Sequence, residues 1–437
     1  MSRRTGSCIL GRKIFLAFVT AATAGVLAPV STLQAQQEWI RYHVTPVSDN
    51  FHDVASDGLG SLYVSGTTTY GSSFTRATLL KYDVSGNLLW SKEYGVRSLH
   101  FGLGVSADGL GNVYVAGAIQ GMFAGDYLAA YVGKFDASGT QIWGRELDTP
   151  GSDTASAVTT DATGNIFISG TTDGDLGGPN AGSNDAFLSK YDGAGSLQWT
   201  RQFGTGANDV GTGVATDAMG NIYLTGSANG GAFEVGSDAF INKYDAAGSL
   251  LWTRQFGTAE IDNSSGVAVD SSGNVFLAGT TRGAIGGPNA GTSNAFLSKF
   301  AADGTQLWTQ QLGTTGLHMG LDVSVDALGN AYLSGSTDGN LGGPNAGGSD
   351  AFVSKFSGAG SLQWLRQFGS ITHDDASSVL PDGVGGAFVV GLTYVGGTGG
   401  GESDAYIARI IPEPASAALA LAALPLSLVV RRNRRCV

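Results

Sequence analysis

The chain is short of most of what builds a disulfide-stapled or reactive protein. Two of its 437 residues are cysteine, Cys8 and Cys436, and they lie at opposite extremes. A domain built between them has no disulfide, no thiolate metal site and no cysteine nucleophile. Charged residues make up 14% of the sequence, acidic ones outnumber basic ones, and the formal net charge is −12. An acidic surface without a basic stripe excludes nucleic acid and anionic membranes as partners. No stretch between the ends has the 3.6-residue apolar period of a helix, and long apolar runs occur only at the termini. Ser-His-Asp, HExxH and paired-Glu constellations are also missing.

Glycine is what the chain has in excess, 69 residues, and its placement is periodic. The seven tryptophans Trp39, Trp90, Trp143, Trp199, Trp252, Trp308 and Trp364 fall 51 to 56 residues apart. An Asp follows each Trp by 18 residues, from Asp57 to Asp382, and an Ala precedes Trp90 and each later Trp by 13. Length variation is therefore confined to one loop. Around these markers run GVAVDSSGNVFLAG (266–279) and then NAFLSKFAADGTQLWTQQLG (294–313). The alternating apolar runs and the Asp-x-x-Gly-Asn and Asp-Gly turns predict four antiparallel strands per repeat, here called a, b, c and d. Four strands with a period near 50 predict a blade of a β-propeller.

Complete units are expected to start near residues 52, 103, 156, 212, 265 and 321. A seventh has strands a (376–380), b (387–391) and c (405–410) but no strand d. Glu38–Val44, with Trp39 in the strand-d register, supplies it. The expected fold is all-β: a seven-bladed propeller of four-stranded blades, closed by an N-terminal strand that completes the last blade. The words GVATDAMGNIYLTG (213–226), GVAVDSSGNVFLAG and DAFVSKF (350–356) resemble the bacterial β-propeller repeat family called SBBP, itself similar to NHL repeats. The resemblance covers about residues 38–410 and implies the fold but no common activity.

Both ends look like processing signals. Arg3, Arg4, Arg12 and Lys13 precede an apolar run, 14–30, and Leu33-Gln34-Ala35 precedes Gln36, which reads as a secretory signal cleaved after Ala35 by signal peptidase. The other reading of this end is a retained membrane anchor. At the other end, Pro412-Glu413-Pro414 leads into sixteen mostly apolar residues, 415–430, and then Arg431-Arg432-Asn433-Arg434-Arg435. This order resembles a PEP-CTERM sorting signal. The resemblance implies an exosortase-type processing enzyme, a membrane contact made only transiently through the tail, and a cell-surface or extracellular-matrix destination in a Gram-negative-type bacterium. An ordinary anchor with positive-inside arginines is the alternative, although sixteen residues is short of the roughly 20 of a stable span. The domain division is 1–35 signal, 36–410 propeller and 411–437 sorting tail. Leaving out the four basic residues of each end and Glu413 takes the net charge from −12 to −19.

One face carries the tight a–b and c–d turns, whose Asp and Gly are explained by turn geometry; calcium loops need several converging oxygens. The d–a and b–c loops lie on the opposite face. Eight residues before each turn Asp stand Asp49, His100, Asp153, Asp209, Asp262, His318 and Asp374. Near the channel mouth these form either a cation or polar-ligand site, with calcium the candidate ion, or a set of loop caps. Gly-Gly-Pro-Asn-Ala-Gly recurs at 177–182, 286–291 and 342–347, beside Asp173, Asp175 and Asp338. These b–c loops are either self-packed covers or a calcium or glycan contact surface. The tryptophans are expected to pack between blades, with an aromatic sugar platform as the alternative. Arg201, Arg254 and Arg366 are expected to be solvated or stacked on the outer strand.

Two functional classes remain. One is a non-catalytic, exported propeller that binds polysaccharide, a surface protein or divalent cations. The other is a secreted enzyme, such as a lyase, a glycosidase or a quinoprotein, with its site at the channel mouth. Catalysis breaks repeat symmetry, and the asymmetries visible here are His52, His100, His318 and the pair His373-Asp374.

Overall fold

The computed structural model describes residues 38–45, 47–70, 74–94, 100–120, 127–229, 236–395 and 402–412. Pro412 is the last of these; Ala35, Glu413 and Pro414 lie outside the described residues. Every regular element among the described residues is a strand. The strands form seven antiparallel four-stranded sheets, six of them from consecutive a-b-c-d strands. Blade one, for example, is Ser48–Ser56, Ser61–Tyr70, Phe74–Asp83 and Leu88–Tyr94. Blade seven joins Asp374–Pro381, Ala387–Val395 and Glu402–Ile410 to the N-terminal strand Trp39–His43. That strand pairs from Trp39 with Arg409 to His43 with Ala405, so the expected closure is the observed one.

Each blade has a buried middle and an exposed outer edge because sheets pack face to face around a ring. Strand b is covered on both faces, so it reads as a continuous apolar run: Ile166, Phe167 and Ile168 are all fully buried. Strand d, at the outer edge, is exposed at its first two residues and mostly half-buried beyond them. The clusters cross blade boundaries; the closing one joins Val54, Leu62 and Leu80 of blade one to Phe388, Val390 and Ile407 of blade seven, with Trp39 between. Each such side chain stabilises by about 1.5–3 kcal/mol through burial.

The tryptophans act at the same boundaries. In blade two, Trp143 Nε1 donates to the carbonyl of Gly193 in the c–d turn of blade three, at 3.3 Å. Arg145 lies 5.5 Å over the Trp143 ring and donates from Nε to Gly195 O at 2.7 Å. Gly195 has φ 79°, and a Cβ there would come within 2.8 Å of Trp143. Glycine is needed twice over, for backbone conformation and for space. Arg201 and Arg254 repeat the stacking at 5.2 and 5.4 Å over Trp199 and Trp252, each reaching a carbonyl of the next blade. Trp39 sits on Gly86 of blade one in the same way.

One boundary differs from the sequence pattern. Strand a begins three residues early, at Asp153 rather than 156 in blade three. A bulge between Ala155 and Ala157 resets the register, so the apolar alternation is legible only beyond it.

Candidate functional site

The d–a loops are short and must reverse the chain from an outer to an innermost strand, which leaves backbone amides to be satisfied. The Asp or His at the head of strand a does this. Asp153 Oδ2 accepts from Thr149 N at 2.7 Å and from the Thr149 hydroxyl at 2.9 Å. Thr205 and Asp209, Thr258 and Asp262, and Ser370 and Asp374 repeat the pair, and the Thr45 hydroxyl donates to Asp49. At His318 the imidazole takes the same place: Nε2 accepts from Thr314 N at 2.9 Å, and Nδ1 lies 2.7 Å from the Thr337 hydroxyl. That arrangement assigns a neutral ring with the proton on Nδ1. Burial lowers the His318 pKa and raises those of Asp153 and Asp209. His100 heads its strand at the same register. Six of the seven residues expected at the channel mouth, Asp49, Asp153, Asp209, Asp262, His318 and Asp374, are thus turned into their own loops. Among the described residues, no three His, Cys, Asp or Glu side chains come together as metal ligands.

The b–c loops are clamped by a residue type the sequence reading passed over, the Gln of strand d. Gln202 Oε1 accepts from Leu176 N and Gly177 N at 3.0 Å, while its Nε2 donates to Gly174 O and to Asp185. Gln311 and Gln367 repeat the clamp over the other two Gly-Gly-Pro-Asn-Ala-Gly loops. Asp173 and Asp338 accept from Ser152 N and Leu317 N of the adjoining d–a loops, and Asp175 accepts from Asn180 N. A recurrent Gln three residues after Trp was the signal available.

The central channel holds what the repeat pattern concealed. Its cavity of about 410 Å³ is lined by strand-a residues of all seven blades. Four residues before each turn Asp, at the bulge, the blades carry Asp53, Gly104, Ala157, Gly213, Gly266, Asp322 and Ser378. Two acids and a serine, in blades one, six and seven, break a column otherwise limited to Gly and Ala. The three residues meet. Ser378 Oγ lies 2.8 Å from Asp53 Oδ1 and 2.8 Å from Asp322 Oδ2. A hydroxyl has one proton to donate, so the second contact is satisfied when a carboxyl group supplies its own. Burial, then the charge of Asp53, pushes the Asp322 pKa up to about 7. Burial also raises that of Asp53. Both acids also accept across blades: Val105 N donates to Asp53 Oδ2 at 2.8 Å, and Val379 N to the same Asp322 Oδ2 at 3.1 Å. The chain of contacts spans blades six, seven, one and two, which include the junction the N-terminal strand closes. His52, beside Asp53 on the cavity wall, is lowered to about 4 by burial and is neutral.

Comparison with known proteins agrees with the geometry. Residues 198–234, 251–287 and 307–342 match the model of the SBBP β-propeller repeat. Regulatory protein FlaEY of Caulobacter vibrioides is 31% identical over 159 residues, 32% of this chain and 17% of its own length. An uncharacterized WD repeat-containing protein of Acanthamoeba polyphaga mimivirus is 22% identical over 229 residues, 39% of this chain and 16% of its own. The chain thus spans about a sixth of the curated relatives it matches. Among solved structures, YCF48 bound to D1 peptide is similar with a TM-score of 0.47 at 10% identity, over 87% of this chain and 97% of that one. Three segments of the chain thus match the SBBP β-propeller repeat, and its described strands form seven four-stranded blades.

Proposed function

We propose that this protein is a non-catalytic propeller, exported to the cell surface or extracellular matrix of a Gram-negative-type bacterium, where it serves as a binding scaffold for polysaccharide or surface protein. The observation that carries the reading is that the polar groups of the loop face are spent on loop order. Asp and His head-of-strand residues hold the d–a loops, and Gln side chains hold the b–c loops. What the loops then offer a partner is a repeated, rigid outer surface, suited to multivalent contact. The N-terminal signal and the sorting tail support the destination, the first implying signal peptidase and the second an exosortase-type enzyme as processing partners.

Cell fractionation with surface proteolysis tests the destination. Protein with Pro412-Glu413-Pro414 intact is expected outside the inner membrane, and replacement of the three by Ala is expected to strand it there. Intact protein found wholly in the cytoplasm sinks the reading. A glycan array and a pull-down then identify the partner class. An enzyme with its site in the channel is the second reading, favoured by the symmetry break at Asp53, Ser378 and Asp322. Against it, each of the two carboxylates is already committed to backbone amides and the serine hydroxyl.

A further inference from the structure

We propose that the central channel binds a small primary amine in its protonated form, seated between Asp53, Asp322 and His52. The site is made by a device repeated in every blade. Strand a bulges at the same step throughout, between Phe51 and Asp53 in blade one and between Gly320 and Asp322 in blade six. A bulge re-aims one side chain out of the alternation, and here the extra residue of each blade lines the channel. Blades three, four, five and seven place a Ser or Thr there, and blades two and six place Leu103 and Leu321. Blade one places His52. Burial keeps its ring neutral, and among the described residues neither ring nitrogen has a hydrogen-bond partner. A buried polar group without a partner is costly, so a ligand that supplies one is stabilised at that wall.

The acids beside His52 have room for the same ligand. A carboxylate offers about four lone-pair positions. Asp53 Oδ1 takes Val54 N and the Ser378 hydroxyl, and its Oδ2 takes Val105 N. Asp322 Oδ2 meets Ser378 Oγ and Val379 N, and its Oδ1 takes Val323 N. One position is left on Asp53 Oδ2 and one on Asp322 Oδ1. The latter oxygen lies against Gly266, where a Cβ would come within 2.7 Å, so glycine in blade five keeps the space beside it open. With a nitrogen of neutral His52 these make three acceptors, and an ammonium has three donors. The charge agrees. No Lys or Arg is among the described residues that line the cavity, and an acid pair holding one proton keeps one negative charge. Calcium takes about six to eight oxygens, more than two carboxylates already bonded to amides supply. Leu103 and Leu321, on either side of blades seven and one, offer apolar surface to a short carbon chain. The cavity, about 410 Å³, is at the small end of ligand pockets, so the occupant is a small molecule.

Calorimetric titration of the intact chain with butylammonium chloride tests this, with butanol, tetramethylammonium chloride and calcium chloride as comparison probes. Butylammonium is expected to bind and the other three are not, since butanol lacks the charge, tetramethylammonium the N–H donors, and calcium enough oxygens. His52→Leu installs the residue that blades two and six carry, so the fold should survive, and binding should weaken about tenfold for one lost charge-assisted hydrogen bond. Asp322→Asn should weaken it at least as much. His52, Asp53 and Asp322 are the titratable residues among those described that line the cavity. Binding to the unmodified chain should strengthen as pH rises through about 7, where the acid pair gives up its proton, and the rise should be smaller in Asp322→Asn. In the imidazole NMR spectrum the His52 resonance should move on binding, and that of His318, held in its own loop, should not. The blocked peptide acetyl-Gly-Lys-Gly-amide carries the same ammonium and should bind more weakly, because its backbone does not fit the channel. Absence of butylammonium binding at about 10 mM, or binding unchanged by both substitutions, overturns the proposal. So does equal binding of butanol, tetramethylammonium or calcium, or tighter binding of the peptide.

Discussion

Asp322→Asn is the substitution that most directly tests the reading of the channel. In the folded protein Asp322 shares a hydroxyl with Asp53 and is pushed up to about 7 from an ordinary 3.8. A raised acid binds its proton more tightly folded than unfolded. Its contribution to stability is therefore fully present below about 3.8 and is lost as pH rises through about 7. At 1.36 kcal/mol per pH unit, that displacement is worth roughly 4 kcal/mol, an upper figure because the two acids titrate as a pair. The turn aspartates act in the opposite sense. Burial would raise Asp108, but hydrogen bonds from Asn112, Leu110 and Tyr114 outweigh it and hold it low. Their contribution is lost as pH falls below the ordinary value, outside the window of interest. Urea unfolding between pH 4.5 and 8 is the assay. The unmodified protein should lose stability steadily across that range. Asp322→Asn removes one titrating proton and should show a shallower slope, with Asp53, Asp153 and Asp209 left to titrate, starting about 1–2 kcal/mol lower because an amide nitrogen meets backbone donors that the carboxylate accepted. Asp53→Asn should flatten the curve in the same way. Equal slopes in the unmodified and Asp322→Asn proteins would refute the shared-proton argument.

Other outcomes follow from single contacts. Gly195→Ala forces a Cβ to within 2.8 Å of Trp143 at positive φ and should cost about 1–3 kcal/mol in denaturant unfolding, with the loss read at the junction of blades two and three. Ala228 stands opposite Asp209 where Thr68 donates to Asp49 at 2.7 Å, and Asp209 Oδ1 has no donor. Ala228→Thr should therefore raise Tm, by about 1 kcal/mol of stability; a fall in Tm would show that the site has no room. Removing residues 38–45 deletes the strand that pairs with Ala405–Arg409 and should lower Tm steeply and expose that edge to aggregation, followed by light scattering. Melting in EDTA and then in millimolar calcium is expected to give the same Tm, since Asp153, Asp209 and Asp262 already serve their loops. A rise of several degrees, lost on changing those three to Asn, would return the loop face to cation binding.

Some features were readable because their causes are local. A Trp, a turn Asp and an Ala at constant offsets imply one set of strand lengths, and a lone strand-d word before the first full repeat implies a closed ring. The Gly at the c–d turn is likewise legible, though that its neighbour is the Trp of the preceding blade is not. The loop-face residues were found by register yet assigned a place by inference. Asp153 or His318 at the head of an inner strand is compatible with facing the channel or its own loop. The Thr four residues earlier decides the matter, by offering both an amide and a hydroxyl at hydrogen-bond distance.

The sequence by itself determined the architecture: seven blades, four strands each, and an N-terminal strand that finishes the last. Periodic pattern and turn chemistry act over a few residues and need no knowledge of the rest. Only the tertiary structure decided what the channel contains. Asp53 and Ser378 are separated by 325 positions, and nothing local relates them. They become neighbours because closure of the ring brings the first blade against the last, and burial at that junction turns two ordinary acids into a pair sharing a proton.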